Sequence, residues 1–317
     1  MANLKRKVVL IGTGMVGMSF AYAALNQSIC DELILIDLNE VRARGEAMDL
    51  NHGLAFSNSS MQIKYGAYSD CSDADIVVIC AGVNQKEGET RLQLLQRNYK
   101  VFESIVPRVV SSGFEGIFLV ATNPVDIMTR ITYELSGFNA AKVMGTGTTL
   151  DTARLRYLLG NYFEVDPRHM HAYVIGEHGD SEFVPWSQAM MSVKPVYDVI
   201  QSDMQRYKFE DLDQIADEVR NAAYQIIKAK GSTYYGIGMA ICRIVRAIFH
   251  NENSVFTTSV RLRGEYGLKK EVFIGHPCII NSGGANRVLE MNMTNAEIEM
   301  FKKSYEILDE SFCSIEC

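Results

Sequence analysis

No two cysteines in this chain are spaced C-x-x-C, and the seven that occur are scattered from Cys30 to Cys317. Nothing in their spacing asks for a disulfide framework, so a reduced, cytoplasmic compartment is the simple reading. Basic charge is not in excess. Lys and Arg number 31 against 38 Asp and Glu, a net charge of −7. That balance argues against a nucleic-acid or anionic-membrane binder, though it leaves room for local basic pockets. No apolar run is long enough to span a bilayer; the first, after Lys7, is interrupted by glycines. The start, Met1 to Lys7, does not read as a signal peptide and runs directly into a strand. No linker rich in Pro, Gly or Ser, no repeat and no low-complexity segment breaks the chain. What remains is an ordinary globular balance, 47 % hydrophobic and 22 % charged over 317 residues. Such a chain is long enough for two domains or one large one.

The first half alternates. Lys7 to Ile11 reads as a buried strand and Met15 to Gln27 as a helix. Leu33 to Ile36 is a strand, with a helix from Glu40 to about Asn51. Ile76 to Cys80 and Ile117 to Val120 are further strands, and a long helix fills Arg91 to Ser111. This alternation predicts a parallel sheet covered on both faces, joined by right-handed crossovers. Past about residue 145 the pattern changes. Leu150 to Leu159 reads as a helix, His171 to Ile175 as a strand, and Glu210 to His250 as helix interrupted near Gly231. Ser254 to Leu262 and Glu271 to Ile280 are strand-like, and a last helix starts near Asn295 with Thr294 as N-cap. The expected architecture is α/β. A Rossmann-type doubly wound parallel sheet over residues 1–145 is followed by a mixed α+β substrate domain over 146–317.

Gly12-Thr13-Gly14-Met15-Val16-Gly17 follows the first strand and opens the first helix. Gly12 permits a tight turn, Gly14 close approach to a pyrophosphate, and Gly17 helix–sheet packing, while the helix N-terminus offers N–H groups to phosphate. As a bare pattern G-x-G-x-x-G occurs by chance. Here a strand precedes it, a helix follows, and Asp37 ends the second strand twenty residues beyond Gly17. Asp37 can accept from the adenine-ribose hydroxyls and would repel a 2′-phosphate, which favours NAD over NADP.

Gly176-Glu177-His178-Gly179-Asp180 places one histidine in a glycine-flanked loop straight after an apolar run. Upstream, Asp151 and Arg154 lie three apart on a helix and share a face. Alone they read as a surface ion pair of little energetic weight. With His178, the sharper reading is a proton shuttle. Asp151 accepts the imidazole N–H, fixes the tautomer and stabilises imidazolium, and Arg154 holds a substrate carboxylate. Ala121 to Asp126 follows a strand at the end where ligands sit, so Asn123 is either a pocket donor or part of a plain Asn-Pro turn. Asn84 to Arg91 has the composition of a lid that would bring Arg91 onto the reacting oxygen, and equally that of a solvated loop. His169 and His171 share a strand face, but no third ligand is apparent and no metal is expected. His52, His250 and His276 have no recognisable partners and read as structural or exposed. With the nucleotide fingerprint, the set describes hydride transfer to or from a small hydroxy acid.

Over nearly its whole length the chain resembles the L-lactate dehydrogenases of the lactate/malate dehydrogenase family. The segments that carry the resemblance are Ile11 to Gly17, Met48 to Gly53, Asn84 to Arg91, Ala121 to Asp126, Leu150 to Arg154, Gly176 to Asp180 and Lys230 to Tyr235. The resemblance implies NAD-dependent interconversion of pyruvate and lactate, with His178 as acid/base. It implies that Arg91 polarises the carbonyl, Arg154 binds the carboxylate and Asp151 pairs with His178. Gln85, Asn123, Asp126 and Thr233 would meet the substrate. The cofactor would meet Gly12, Gly14, Val16, Gly17, Asp37, Arg42, Tyr68, Gly82 and Val83, and also Ser104, Ala121, Thr122, Asn123 and Thr146. Gln85 stands where malate dehydrogenases tend to carry arginine, so a monocarboxylate such as pyruvate fits better. Arg156 and His171 match the bacterial subset that binds fructose 1,6-bisphosphate at a subunit interface, and the N-terminus is short. Both imply an allosteric homotetramer.

Several residues depart from the family's common pattern. Glu87 stands where proline is usual, Val83 where alanine is common, Val184-Pro185 in reversed order, and Ser232 for a frequent alanine. Thr146 and the run Gly147 to Leu150 are similar to branched-chain hydroxyacid dehydrogenases. These departures touch side-chain specificity, not the reaction class. Competing readings are a dehydrogenase for malate or a branched-chain acid, and a non-catalytic NAD-binding sensor on the same scaffold.

Overall fold

A computed structural model of the chain describes residues 6–83 and 91–316, except for the side chains of Arg91 and Glu316. The proposed lid, Gln85 and the Arg91 side chain lie outside the described residues. The first half is built from β1 (Lys7–Ile11), α1 (Met15–Gln27), β2 (Glu32–Ile36), α2 (Glu40–Gly53), β3 (Gln62–Tyr65) and β4 (Ile76–Ile79). It continues through α3 (Arg91–Ser111), β5 (Ile117–Val120), α4 (Val125–Ser136) and β6 (Val143–Gly145). The six strands are parallel in the order β3-β2-β1-β4-β5-β6. The chain therefore reverses direction of growth between β1 and β4, which opens a crevice at their carboxyl ends.

Burial on both faces explains why these strands are unbroken apolar runs. Alternate side chains go to opposite cores. Val8 and Leu10 pack with Phe20 and Ala24 of α1, and with Ile241 and Val245 further on. Val9 and Ile11 pack with Phe102 and Val106 of α3, and with Phe301 near the C-terminus.

The second half holds α5 (Thr149–Phe163), β7 (Met170–His171), β8 (Met190–Met191), β9 (Lys194–Pro195) and α6 (Val196–Ser202). It ends with α7 (Glu210–Lys230), α8 (Tyr235–Phe249), β10 (Ser254–Leu262), β11 (Val272–Asn281), β12 (Gly284–Val288) and α9 (Asn295–Glu316). Strands β10 to β12 are antiparallel and extend the parallel sheet, because β10 pairs with β6 through Ser259 and Gly145. One nine-stranded sheet therefore runs across residue 145. A third core, with Leu155, Leu159, Val174, Ile200 and Leu212, joins α5, α6 and α7.

The expected strand from His171 to Ile175 is corrected: only Met170 and His171 form a ladder, with β8. Beyond it, side chains satisfy Val174, and Ile175 makes an isolated backbone bridge to Phe183. Val174 N–H donates to the Thr152 hydroxyl at 2.9 Å, and the Thr148 hydroxyl donates to the Val174 carbonyl at 2.6 Å. Thr294 caps α9 as expected: its hydroxyl accepts from Glu297 N–H at 3.3 Å, and Glu297 returns a carboxylate to Thr294 N–H at 2.8 Å. Among the described residues, no helix is long and apolar enough to cross a membrane.

Candidate active site

The loops after β1, β4, β5 and β6 converge at the crevice. Gly12 has φ +103°, and a Cβ there would meet the Ala81 backbone at 2.7 Å or less. A Cβ on Gly17 would strike the Gly12 carbonyl, whereas one on Gly14 would meet nothing within 4 Å. The turn is thus closed on its protein side and open at Gly14. Thr13 N–H and Oγ1 donate to Asp37 Oδ2 at 2.7 and 2.9 Å, and Asn39 N–H donates to Oδ1 at 2.9 Å. Burial pulls the Asp37 carboxyl upward. The Asn39 and Thr13 donors and the Arg42 charge outweigh it and hold the pKa below the ordinary value. Asp37 is therefore ionised at the mouth of the cradle.

Asn98, which the sequence did not single out, ties two of these loops. Its side chain accepts from Val83 N–H at 2.9 Å and donates to the Asn123 carbonyl at 3.0 Å. The signal available was a polar residue on the buried face of α3, in step with Leu95 and Phe102. Thr122 is buried, its hydroxyl donating to the Ala81 carbonyl at 2.8 Å. Thr146 N–H reaches the Val120 carbonyl at 2.8 Å. Val16 is partly buried in the first turn of α1, and Tyr68 lies under the Arg108 guanidinium at 3.9 Å. Arg42 pairs with Glu46 at 3.6 Å. Ser104 is exposed on α3, its hydroxyl donating to the Val101 carbonyl at 2.7 Å.

The predicted dyad is assembled. His178 Nδ1 and Asp151 Oδ2 are 2.7 Å apart, and Arg154 Nη1 donates to Asp151 Oδ1 at 2.6 Å. Burial works against the charge on Asp151, but His178 and Arg154 outweigh it and hold its pKa below the usual range. An ionised carboxylate only accepts, so Nδ1 carries the hydrogen. Nε2 has no partner among the described residues, and the ring is a quarter exposed. Burial alone would lower the imidazole pKa. The Asp151 charge and hydrogen bond reverse this and raise it to about 9. The backbone of the loop is fixed as well. His178 N–H donates to Asp126 Oδ2 at 2.8 Å, and Gly176 exchanges both hydrogen bonds with Gly275 of β11 at 2.9 and 3.0 Å. Asp126 is buried and raised to about 6 by burial, against the His178 donor. Glu182, also buried, brings Oε2 to 3.9 Å from Nδ1.

Thr233 lies in the short connection between α7 and α8, whose next turn abuts α5: a Cβ on Gly236 would meet Leu150 at 3.0 Å. Arg156 Nε donates to the Ala172 carbonyl at 3.0 Å, which sets it beside exposed His171 on a different surface. His276 is fully buried against the Tyr266 hydroxyl at 2.9 Å, and burial lowers its pKa to about 4.

Residues 6–145 match the family model for the lactate/malate dehydrogenase NAD binding domain, and residues 148–316 match the alpha/beta C-terminal domain of the same family. The chain belongs to the lactate/malate dehydrogenase family. It is 50 % identical to L-lactate dehydrogenase 2 of Bacillus cereus over 309 residues, 98 % of each chain. It is 52 % identical to the L-lactate dehydrogenase of Bacillus pumilus over 311 residues, again 98 % of each. A lactate dehydrogenase from a Medee basin deep-sea metagenome library superposes with a TM-score of 0.96 at 50 % identity, covering 99 % of both chains. The ligand-bound minor L-lactate dehydrogenase of Enterococcus mundtii gives 0.96 at 45 % identity, also covering 99 % of both. As a member of this family the chain binds NAD through its parallel half. The cradle fits that cofactor: Gly14 leaves room for a pyrophosphate at a helix N-terminus, and Asp37 presents an ionised acceptor.

Proposed function

We propose that the chain is an NAD-dependent L-lactate dehydrogenase. It interconverts pyruvate and (S)-lactate as the closing step of fermentative glycolysis in the cytoplasm. The observation that carries the reading is the buried Asp151 held between Arg154 and His178, with Nε2 left free for substrate. Bound NADH supplies the hydride. In pyruvate reduction His178 gives its Nε2 proton to the carbonyl oxygen, and Asp151 stabilises the imidazolium beforehand. In lactate oxidation the neutral ring takes the proton back. Arg154 spends one nitrogen on Asp151 and keeps the rest of its fork for the substrate carboxylate. We assign Arg91 to the carbonyl oxygen and Asn123 and Thr233 to the pocket wall. Asp126 supports the His178 backbone from beneath the pocket. Residues 1–145 then hold the cofactor and lend Gln85, Arg91 and Asn123 to the substrate, and residues 146–317 supply the rest of the substrate site. A non-catalytic sensor would have no use for the charged dyad.

Substrate choice is assigned to Gln85, a neutral amide that offers no countercharge to a second carboxylate. Steady-state rates with NADH against pyruvate, oxaloacetate and 2-oxoisocaproate should rank pyruvate first. Gln85→Arg should move kcat/KM toward oxaloacetate by about a hundredfold or more. A parent enzyme that already prefers oxaloacetate or 2-oxoisocaproate would sink this reading of the pocket.

The assembly is proposed to be a homotetramer. Met15 and Tyr22 on α1, Val41 and Met48 on α2, and Tyr235 and Met239 on α8 are exposed apolar side chains of a kind that subunit contacts cover. Arg156 and His171 would meet their counterparts across a two-fold axis and enclose an anionic ligand, fructose 1,6-bisphosphate. Four facing cations repel when that site is empty, and the ligand favours the assembled state only through its differential affinity for it. The expected result is a lower apparent pyruvate requirement with the bisphosphate. Arg156→Gln should abolish the effect. Superimposable saturation curves for the parent, at low protein concentration, would remove the allosteric assignment.

A further inference from the structure

His178 is faced by two buried carboxyl groups, and the mechanism above uses one. Asp151 takes the Nδ1–H at 2.7 Å. Glu182 Oε2 lies 3.9 Å from the same nitrogen, with its side chain 6 % exposed. The loop itself returns Glu182 to the ring. Glu182 N–H donates to the Gly179 carbonyl at 3.2 Å, and Phe183 and Ile175 exchange hydrogen bonds of 3.0 Å that clamp the base of the turn. Among the described residues no hydrogen bond acts on the Glu182 carboxyl, only burial and neighbouring charges. A carboxylate in such surroundings is costly, which favours the protonated form. Burial first, and then the Asp151 charge, raise it far above the usual carboxylate range, against the charges of His178, Arg154 and Arg220.

The other charged groups around the ring are committed. Arg154 and Asp151 on α5 hold each other. Asp126 on α4 accepts the His178 N–H, with Glu177 acting on it from the loop. Arg220 on α7 gives Nη1 to Asp217 at 2.6 Å and Nη2 to the Glu182 carbonyl at 3.4 Å, and its Nε is buried without a partner. Among the described residues Glu182 is thus the carboxyl beside the imidazole whose charge no hydrogen bond fixes.

We propose that Glu182 is a positioning residue for the His178 proton, a second carboxyl that shares the ring's titration. Neutral, it leaves the imidazolium facing the charge of Asp151 in direct contact, with Asp126 acting more weakly from beneath the loop. On losing its proton it adds a further charge and keeps the ring protonated where those two alone would release it. The ring therefore stays an acid to higher pH, and the chain is set toward ketone reduction. Hydroxy-acid oxidation, which needs the neutral ring, begins later. This rests on His178 being the acid/base.

The test is a pH titration of the enzyme labelled with 13C at histidine, with the His178 signal assigned by its loss in His178→Asn. In Glu182→Gln the half-titration of His178 should fall by about one pH unit or more and sharpen to a single-proton curve. The onset of lactate oxidation should move to lower pH by the same amount. Glu182→Asp should restore part of the shift. If Glu182→Gln titrates as the parent does, Glu182 only fills space and the proposal fails. A measurement on the unaltered protein guards against a misfolded variant: 13C-labelled glutamate carboxyls. A Glu182 signal that titrates in the ordinary range, about 4.3, overturns the proposal. If the parent reduced no 2-oxo acid, the functional reading would fall, while both titrations would still decide the role of Glu182.

Discussion

His178→Ala is expected to bind NADH as the parent does and to lose turnover by roughly 10²–10⁴-fold. The two halves of that result have separate causes. The cofactor cradle is made by Gly12 to Gly17 and Asp37, which do not depend on the ring. The ring is the group with a free Nε2, and Asp151 charges it in advance. Without it, the oxygen of reduced pyruvate must take its proton from water. Fluorescence titration of NADH and single-turnover reduction of pyruvate check the two halves. Turnover within a few-fold of the parent would remove His178 from the chemistry. Lost NADH binding would mean that the loop, which hangs from Asp126 and Gly275, had collapsed.

Asp151→Asn is expected to cost about a hundredfold or more in turnover, with a change in pH dependence that His178→Ala cannot show. The amide cannot supply the charge that raises the imidazole to about 9, and Arg154 loses its partner. The half-titration of His178 should fall toward the ordinary imidazole range. Stability reports the same linkage. A pKa raised by folding adds stability that is complete below the unfolded value, about 6.5, and is lost as pH rises through the folded value. The parent should therefore lose melting temperature between about 6.5 and 9 through this pair, and Asp151→Asn should lose less. Calorimetry across that window measures it, and parallel slopes for the two proteins would count against the pairing.

The first strand and helix could be read to the residue because glycine-rich punctuation separates a β-branched buried run from an alanine- and methionine-rich one. The edge strand β3 could not. Only Ile63 of its four residues is buried, so it carries no alternation. Helix α4 was hidden for another reason. Thr129 and Thr132 sit on its buried face, and their hydroxyls are satisfied by the Val125 and Met128 carbonyls at 2.6 and 2.8 Å, a solution invisible in a polarity pattern. At the site, Asp151 and Arg154 were legible by their spacing on one helix face and His178 by its glycine-flanked loop. Asn98 and Glu182 were not. Asn98 matters through partners brought from distant loops, and Glu182, four residues from His178, through its burial, neither of which composition records.

The hydrogen-bonded ladder from β3 to β12 has no break at residue 145, and the His178 loop is fastened to it through Gly176 and Gly275. Phosphate cradle and proton donor are therefore mounted on one plate. The sheet thus carries both the nucleotide turn and the imidazole loop, so the spacing between them is set when the chain folds. Cutting the chain at residue 145 would not yield two working halves. It would strip β6 of its antiparallel neighbour and leave a raw edge on each fragment, open to pairing with any other strand. The two activities, holding a nucleotide and moving a proton, are thus inherited as a single mechanical object.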